Sequence, residues 1–299
     1  MTLRRQDVAR LVTLALIWSG SFALMRVLSP ALGPAWVATS RLLLGGAALA
    51  AWLAYRGTNA GLRTHWRAYA IVGLVNCALP FALFAWAALH LPASYLVILN
   101  ATTPLLAAAL AVPFLRERLD GVKIVGLLAG VAGVVLVTRA VPLAPDPQRA
   151  CAIVAGLGAA CCYASAGIWL KRHATGLSPP ALGTWSQLFA AGMLLPFALP
   201  SAVPGPLDAV VVVDMLVLAL VCSGIAYLLY YRLVRDVGPT RALTVTFLMP
   251  AFGMLWGALL LGETITAGML GGAALVVAGT FTVLRKPRAA APAVERVAA

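Results

Sequence analysis

Ten long apolar runs separated by short polar segments account for almost the whole chain. They cover approximately residues 8–27, 34–54, 68–89, 93–115, 121–138, 150–170, 178–200, 209–231, 241–261 and 267–284. A helix needs about 20 apolar residues to cross the hydrocarbon core of a bilayer. Inside lipid it also satisfies its own backbone polar groups, so each run predicts a transmembrane α-helix. The fifth and tenth are short and Gly-rich. A membrane barrel would alternate apolar and polar residues within each strand, whereas these runs are unbroken. The intervening segments are mostly ten residues or fewer and leave no room for an extramembrane domain.

Composition strengthens this picture. The 299 residues are 62% hydrophobic and only 10% charged, against about 25% charged in soluble domains. So few charges cannot cover a water-facing surface, and the class is an all-α integral membrane protein. Arg4, Arg5 and Arg10 ahead of the first run resemble a signal peptide, but no small-residue cleavage site followed by a soluble domain comes after it, so this run reads as the first retained helix.

The net charge of +13 is spread over short loops and not gathered in one patch, which argues against a nucleic-acid partner. It orients the chain instead. With the N-terminus inside, the cytoplasmic segments hold Arg4, Arg5 and Arg10; Arg56, Arg63 and Arg67; Arg116, Arg118 and Lys123; Lys171 and Arg172; Arg232, Arg235 and Arg241; and Arg285, Lys286, Arg288 and Arg296. The other side holds Arg26, Arg139 and Arg149, and Arg41 lies within the membrane. Both termini are therefore expected in the cytoplasm, with a disordered Ala- and Pro-rich tail over 286–299. Cys77, Cys151, Cys161, Cys162 and Cys222 have no metal-ligand spacing and read as packing residues.

A shift of 146 residues overlays the two halves. Pro104 falls on Pro250, Glu117 on Glu263, Gly126 on Gly272, Gly133 on Gly279 and Arg139 on Arg285, while Pro34 falls on Pro180 and Arg41 on Gln187. Each half holds five helices, an odd number, so the second half enters the membrane in the opposite sense to the first. The expectation is two inverted five-helix repeats, 8–139 and 150–285, around a central cavity. Secondary transporters share this construction, with their site between the repeats. A duplicated packing scaffold is the competing reading.

The motifs resemble a known family. Trp18-Ser19-Gly20-Ser21-Phe22 in the first helix is close to the W-G-S-x-F pattern of EamA-type proteins of the drug/metabolite transporter superfamily, with its Gly and Ser exchanged. The Pro-centred fourth and ninth helices, ending in Glu117-Arg118-Leu119 and Gly262-Glu263-Thr264, resemble that family, as do Arg41 in the second helix and the Gly-rich fifth and tenth. The likeness covers residues 8–285. It implies a ten-helix basket in a bacterial cytoplasmic membrane that exports small metabolites, with the amino-acid exporters of the YddG type as the nearest branch.

Polar residues in lipid are costly unless they meet a partner or water. Asn76 lies mid-span with Pro80 beyond it. Asn100 and Thr103 share a face before Pro104, and Thr246 overlays Asn100. Ser223, Tyr227 and Tyr230 follow i, i+4, i+7 spacing. Trp18, Phe22, Phe84, Tyr95 and Tyr163 add aromatic surface, and Trp18 overlays Tyr163 at an offset of 145. Together they predict a substrate cavity without net charge, bordered by kinks at Pro80, Pro104 and Pro250. The plainer reading of any single Ser or Thr is a bond between helices, typically worth about 0.6 kcal/mol. For Asn76 and Asn100 the cavity is favoured.

Trp36, Trp52, Trp66 and Tyr69 read as interfacial anchors. Arg41 is open to two readings: contact with a carboxylate substrate, or a structural bond to backbone carbonyls with the head snorkelling outward. The second is favoured, because Arg41 lies seven residues from Pro34. Glu117 and Glu263 read as salt-bridge or capping residues near opposite membrane faces. The span centres lack acids, and His65, His90 and His173 lie in loops, so no intramembrane proton relay is expected. No phosphate-binding loop, clustered Ser/His or paired carboxylates point to an ATPase or an enzyme. The expected function is a cofactor-free, monomeric secondary exporter of small polar molecules, most of all amino acids. Drug-like amines are the alternative cargo, and a non-transporting scaffold is the lesser alternative.

Overall fold

The computed structural model describes residues 4–57, 61–117, 119–139, 146–173, 176–238, 242 and 244–284. Among them all regular structure is helical, without a strand. The helices are α1 Arg5–Leu32, α2 Pro34–Tyr55, α3 Leu62–Val72, α4 Leu79–Ala87, α5 Ala93–Asn100, α6 Thr103–Leu115 and α7 Gly121–Arg139. Then follow α8 Pro147–His173, α9 Pro179–Ala198, α10 Ala209–Leu216, α11 Ala226–Val237, α12 Val245–Leu261 and α13 Ala267–Leu284. Three predicted spans are broken helices: α3 and α4 join through Gly73–Ala78, α5 and α6 through a two-residue step, and α10 and α11 through Val217–Ile225. Nine described spans are long and apolar enough to cross a membrane, and α12 is a shorter apolar tenth. This is a multi-pass membrane protein. The start of the ninth predicted span, with Arg241, lies outside the described residues, as do Arg118, Arg285 and the tail 286–299.

Local chemistry explains the breaks. Gly33, at φ 82°, turns the chain within one residue, and Pro34 opens α2 with the φ a first helical turn needs. Gly73–Ala78 and Val217–Ile225 widen into π-helical turns. In the first, Pro80 has no N–H to offer the Asn76 carbonyl. In the second, the Ser223 hydroxyl donates to the Leu218 carbonyl at 3.3 Å, inserting itself into the ladder. Pro104 opens α6 immediately after a break, whereas Pro250 lies within continuous α12. The two repeat-related prolines therefore act differently.

Matched features recur at the 146-residue spacing. Arg116 (φ 55°) ends α6 and Gly262 (φ 63°) ends α12, both left-handed. The N–H of Glu117 bonds the Ala111 carbonyl at 3.2 Å, and that of Glu263 bonds Gly257 at 3.0 Å. Each carbonyl also accepts from the left-handed residue itself, so matched two-donor closures end both helices. Helices α7 and α13 pack along glycines. A Cβ on Gly126 would stand 2.8 Å from the Gly279 carbonyl oxygen, and one on Gly133 2.7 Å from that of Gly272. Advancing along α7 means retreating along α13, so the two run antiparallel in backbone contact. Such close approach is how helices gain packing in lipid, where no hydrophobic drive remains.

The interior is lined by Leu14, Leu28, Leu96, Ile98 and Leu99, all fully buried. Outward faces are apolar instead, with Val125, Leu128 and Val131 of α7 exposed. Tyr69 departs from its expected interfacial role: it is buried, because α3 lays it inward against the bundle. Trp66 is exposed, and the Trp36 indole donates to the Ser201 carbonyl.

Candidate functional site

Midway along the spans, α1, α2, α4, α8, α9 and the α10–α11 span converge on one aromatic and polar cluster. Trp18 of α1 packs edge-on to Tyr227 at 6.1 Å and tilted to Tyr230 at 5.4 Å. One turn on, Phe22 meets Phe84 edge-on at 5.1 Å, and Phe84 stacks on Tyr163 at 6.3 Å. Tyr227 continues to Tyr231 at 5.9 Å. These rings join both halves of the chain. Trp18, Tyr163, Tyr227, Tyr230 and Tyr231 keep some accessible surface despite their interior position.

The polar part centres on Arg41, which is 4% exposed. Its Nε donates to the Ser223 hydroxyl at 2.7 Å, an Nη faces the Met25 sulfur at 3.7 Å, and the guanidinium lies 4.1 Å from the Phe81 ring centroid. The expected bonds to backbone carbonyls are replaced by these side-chain contacts, and the head does not snorkel. The correction has a simple cause. The face of α2 that carries Arg41 is turned toward the neighbouring α10–α11 span, so the guanidinium meets Ser223, Met25 and Phe81 before it can reach either end of the helix. Where a cavity without net charge was expected, the cluster therefore holds a cation.

Gln187, which overlays Arg41, reaches the same place from α9. It is fully buried, and its Nε2 donates to the Ser223 carbonyl at 3.2 Å, within the π-helical turn. Its Oε1 has no hydrogen-bond partner among the described residues. Gly45 makes this meeting possible, since a Cβ there would stand 2.8 Å from Ser223 Cβ and 2.9 Å from Gln187 Oε1. Close by, the Cys77 thiol faces the Ser186 hydroxyl at 3.8 Å, and Gly183 leaves room for Tyr227 and Tyr231 against α9.

Trp18, Phe22, Phe84, Tyr163, Ser223 and Tyr227 are thus gathered, with Asn76 half-buried in the π-helical turn beside Cys77. Pro80 is buried at the start of α4. Tyr95 is buried nearer the α5 start, and its hydroxyl lacks a partner among the described residues. Asn100 and Thr103 close on each other, the Thr103 hydroxyl donating to the Asn100 carbonyl at 2.7 Å. Thr246 lies in the first turn of α12. Gln187, Phe81 and Tyr231 were not foreseen as site residues; the overlay of Gln187 on Arg41 was the available signal.

Two ends flank the cluster. At one, Glu263 accepts from the N–H groups of Ala93 (2.6 Å) and Ser94 (3.1 Å) and from the Ser94 hydroxyl. There Arg26 donates to the carbonyls of Ala88 (2.6 Å) and Leu89 (2.9 Å). A recess of about 570 Å³ opens between Arg26, Pro92 and Glu263. At the other end, Glu117 pairs with Lys171 at 2.8 Å and Lys123 at 3.6 Å, and Arg10 pairs with Asp236 at 2.7 Å.

Comparison with known proteins fits this architecture. A crystal structure superposes with a TM-score of 0.68 at 20% identity, covering 94% of this chain and 96% of the other, a likeness of fold alone. The "Probable terminal-alkyne amino-acid exporter" of Streptantibioticus cattleyicolor is 24% identical over 92% of each chain. The "Uncharacterized transporter YvbV" of Bacillus subtilis is 22% identical over 93% of this chain and 92% of its own. The "Probable amino-acid metabolite efflux pump" of Salmonella typhimurium is 27% identical over 55% of this chain and 58% of its own. The EamA-like transporter family matches twice, over residues 8–139 and 150–285. With its ten apolar spans and both halves matched, the chain belongs to the EamA-like transporter family.

Proposed function

We propose that the protein is a secondary exporter that moves small polar metabolites, amino acids foremost, across the bacterial cytoplasmic membrane by alternating access. The observation that carries this reading is the mid-span junction of the two halves: Arg41 of the first is held on Ser223 of the second, beside Gln187 and within an aromatic ring. Trp18, Phe22, Asn76, Phe84, Tyr163, Ser223 and Tyr227 line the path, and the breaks at Pro80 and Pro104 bend its walls. Relatives named as exporters of amino acids and their metabolites support the cargo class. The guanidinium opposes a lone cationic amine, which sets drug-like amines second.

The halves 8–139 and 150–285 act as inverted repeats. Support comes from antiparallel α7 and α13, the matched caps at Arg116 and Gly262, and π-helical turns in equivalent spans. Such symmetry supplies inward- and outward-open forms of similar energy. Glu263 latches one end of the path and Glu117 is its counterpart at the other. Both termini face the cytoplasm, by the distribution of Lys and Arg. A monomer suffices, since one chain supplies the whole cluster.

Counterflow into proteoliposomes containing the purified protein tests the reading. Amino-acid exchange is the expected result, with substrate-dependent protection of single cysteines introduced at Asn76 and Tyr227 in a cysteine-free background. Absence of exchange for every amino acid and related metabolite tried overturns it.

A further inference from the structure

We infer that Arg41, Gln187 and Ser223 form a receptor for the substrate's carboxylate, so that the cargo is an amino acid or a close carboxylate-bearing relative; this rests on the transport reading above. Arg41 is nine-tenths buried and has no acidic partner among the described residues. Its present contacts are a hydroxyl oxygen, a thioether and an aromatic face. A guanidinium presents five N–H donors in a planar fork that matches a carboxylate. Ser223 takes one of them and Met25 faces another group weakly, so the fork is left largely unused. Keeping an unpaired cation in a low-dielectric interior is costly, and a ligand anion removes that cost.

A second unmet group points the same way. Gln187 Oε1 is a buried acceptor without a donor, held one residue's width from Arg41 by their shared partner Ser223. The hydroxyl of Tyr231 on α11, which abuts Gly183 one turn before Gln187 on α9, also has no partner among the described residues. A zwitterion completes this inventory: its carboxylate takes the Arg41 fork, and its ammonium group donates to Gln187 Oε1 beside the tyrosine faces. The remaining side chain extends toward Trp18, Phe84 and Tyr163. A neutral or purely cationic metabolite leaves the guanidinium unpaired.

Binding to the purified full chain, read by tryptophan fluorescence and ligand-induced thermal shift, tests this with L-phenylalanine and L-threonine beside their carboxamides. The acids are expected to bind and the amides not. Arg41→Gln is expected to weaken binding of the acids about 30-fold or more, with Arg41→Lys intermediate. The unliganded Arg41→Gln protein melts no lower than wild type, because its buried charge is gone, which separates lost binding from lost folding. Affinity of Arg41→Gln within about twofold of wild type overturns the receptor, as does equal binding of amide and acid or binding of neither. Proteoliposome flux separates the two readings. Acids that bind but are never exchanged overturn transport and leave the receptor standing; amides exchanged in place of acids overturn the receptor and leave transport standing.

Discussion

Glu263 and Ser94 are joined twice, the carboxylate accepting both the backbone N–H and the hydroxyl of Ser94 while it also holds the N–H of Ala93. A residue at the end of α12 thereby caps α5, far away in sequence, where the helix dipole favours a negative charge. Replacing Glu263 by Ala strips several buried N–H and O–H groups of their acceptor and is expected to cost about 1–3 kcal/mol. Glu263→Gln, which keeps an acceptor without the charge, costs less. Apparent melting temperature in detergent checks the order.

Arg26 secures the other side of the same connection by capping the carbonyls that end α4. Since both residues fix the 88–94 segment, Arg26→Ala and Glu263→Ala are expected to be non-additive, with a coupling of about 0.5 kcal/mol or more. A double-mutant cycle on thermal stability measures it, and simple additivity would show that the two caps act independently.

The α7–α13 crossing leaves no room for side chains. Gly126→Leu and Gly133→Leu are expected to destabilise by about 1–3 kcal/mol through overpacking. Gly167 of α8, which has nothing near its Cβ position, is the control: Gly167→Ala is expected to stabilise by about 0.4–1 kcal/mol. Melting of the three variants side by side separates backbone contact from helix propensity.

Glu117 carries a pH signature. The hydrogen bond from Lys171, with the positive charges of Lys171 and Lys123, holds its carboxyl below the usual carboxylate range. A group whose pKa is lowered on folding contributes stability above its unfolded pKa, about 4.3, and loses it as pH falls through the folded value. The side chain is 39% exposed, so the contribution is under about 1 kcal/mol and screened by salt. Glu117→Gln is expected to melt slightly lower than wild type at neutral pH, with the gap closing in acid or in high salt.

Tyr231 offers a contrast with these caps. Its buried hydroxyl has no partner among the described residues, so Tyr231→Phe removes an unsatisfied group and is expected to leave unliganded stability unchanged or raise it by up to about 1 kcal/mol. Thermal melting without ligand checks this, and a fall of several degrees would place a hidden partner on that oxygen.

The helices, their approximate ends and the membrane class were legible in the sequence, because bilayer thickness imposes a run length that every span must meet. The 146-residue overlay also anticipated that Glu117 and Glu263 end their helices alike. Side-chain destinations were not legible. Whether Arg41 snorkels or turns inward depends on how α2 rotates against its neighbours, and apolar runs that are hydrophobic all round carry no period to fix that rotation. Ser223 became an acceptor for Arg41 only because the α10–α11 span widens where it sits. Gln187 was visible as the partner of Arg41 in the overlay, yet only the packing across Gly45 brought the two to one serine. Length and hydropathy thus determined how many times the chain crosses the membrane. The positions of its polar groups were decided by contacts between helices far apart in sequence, which no local pattern encodes.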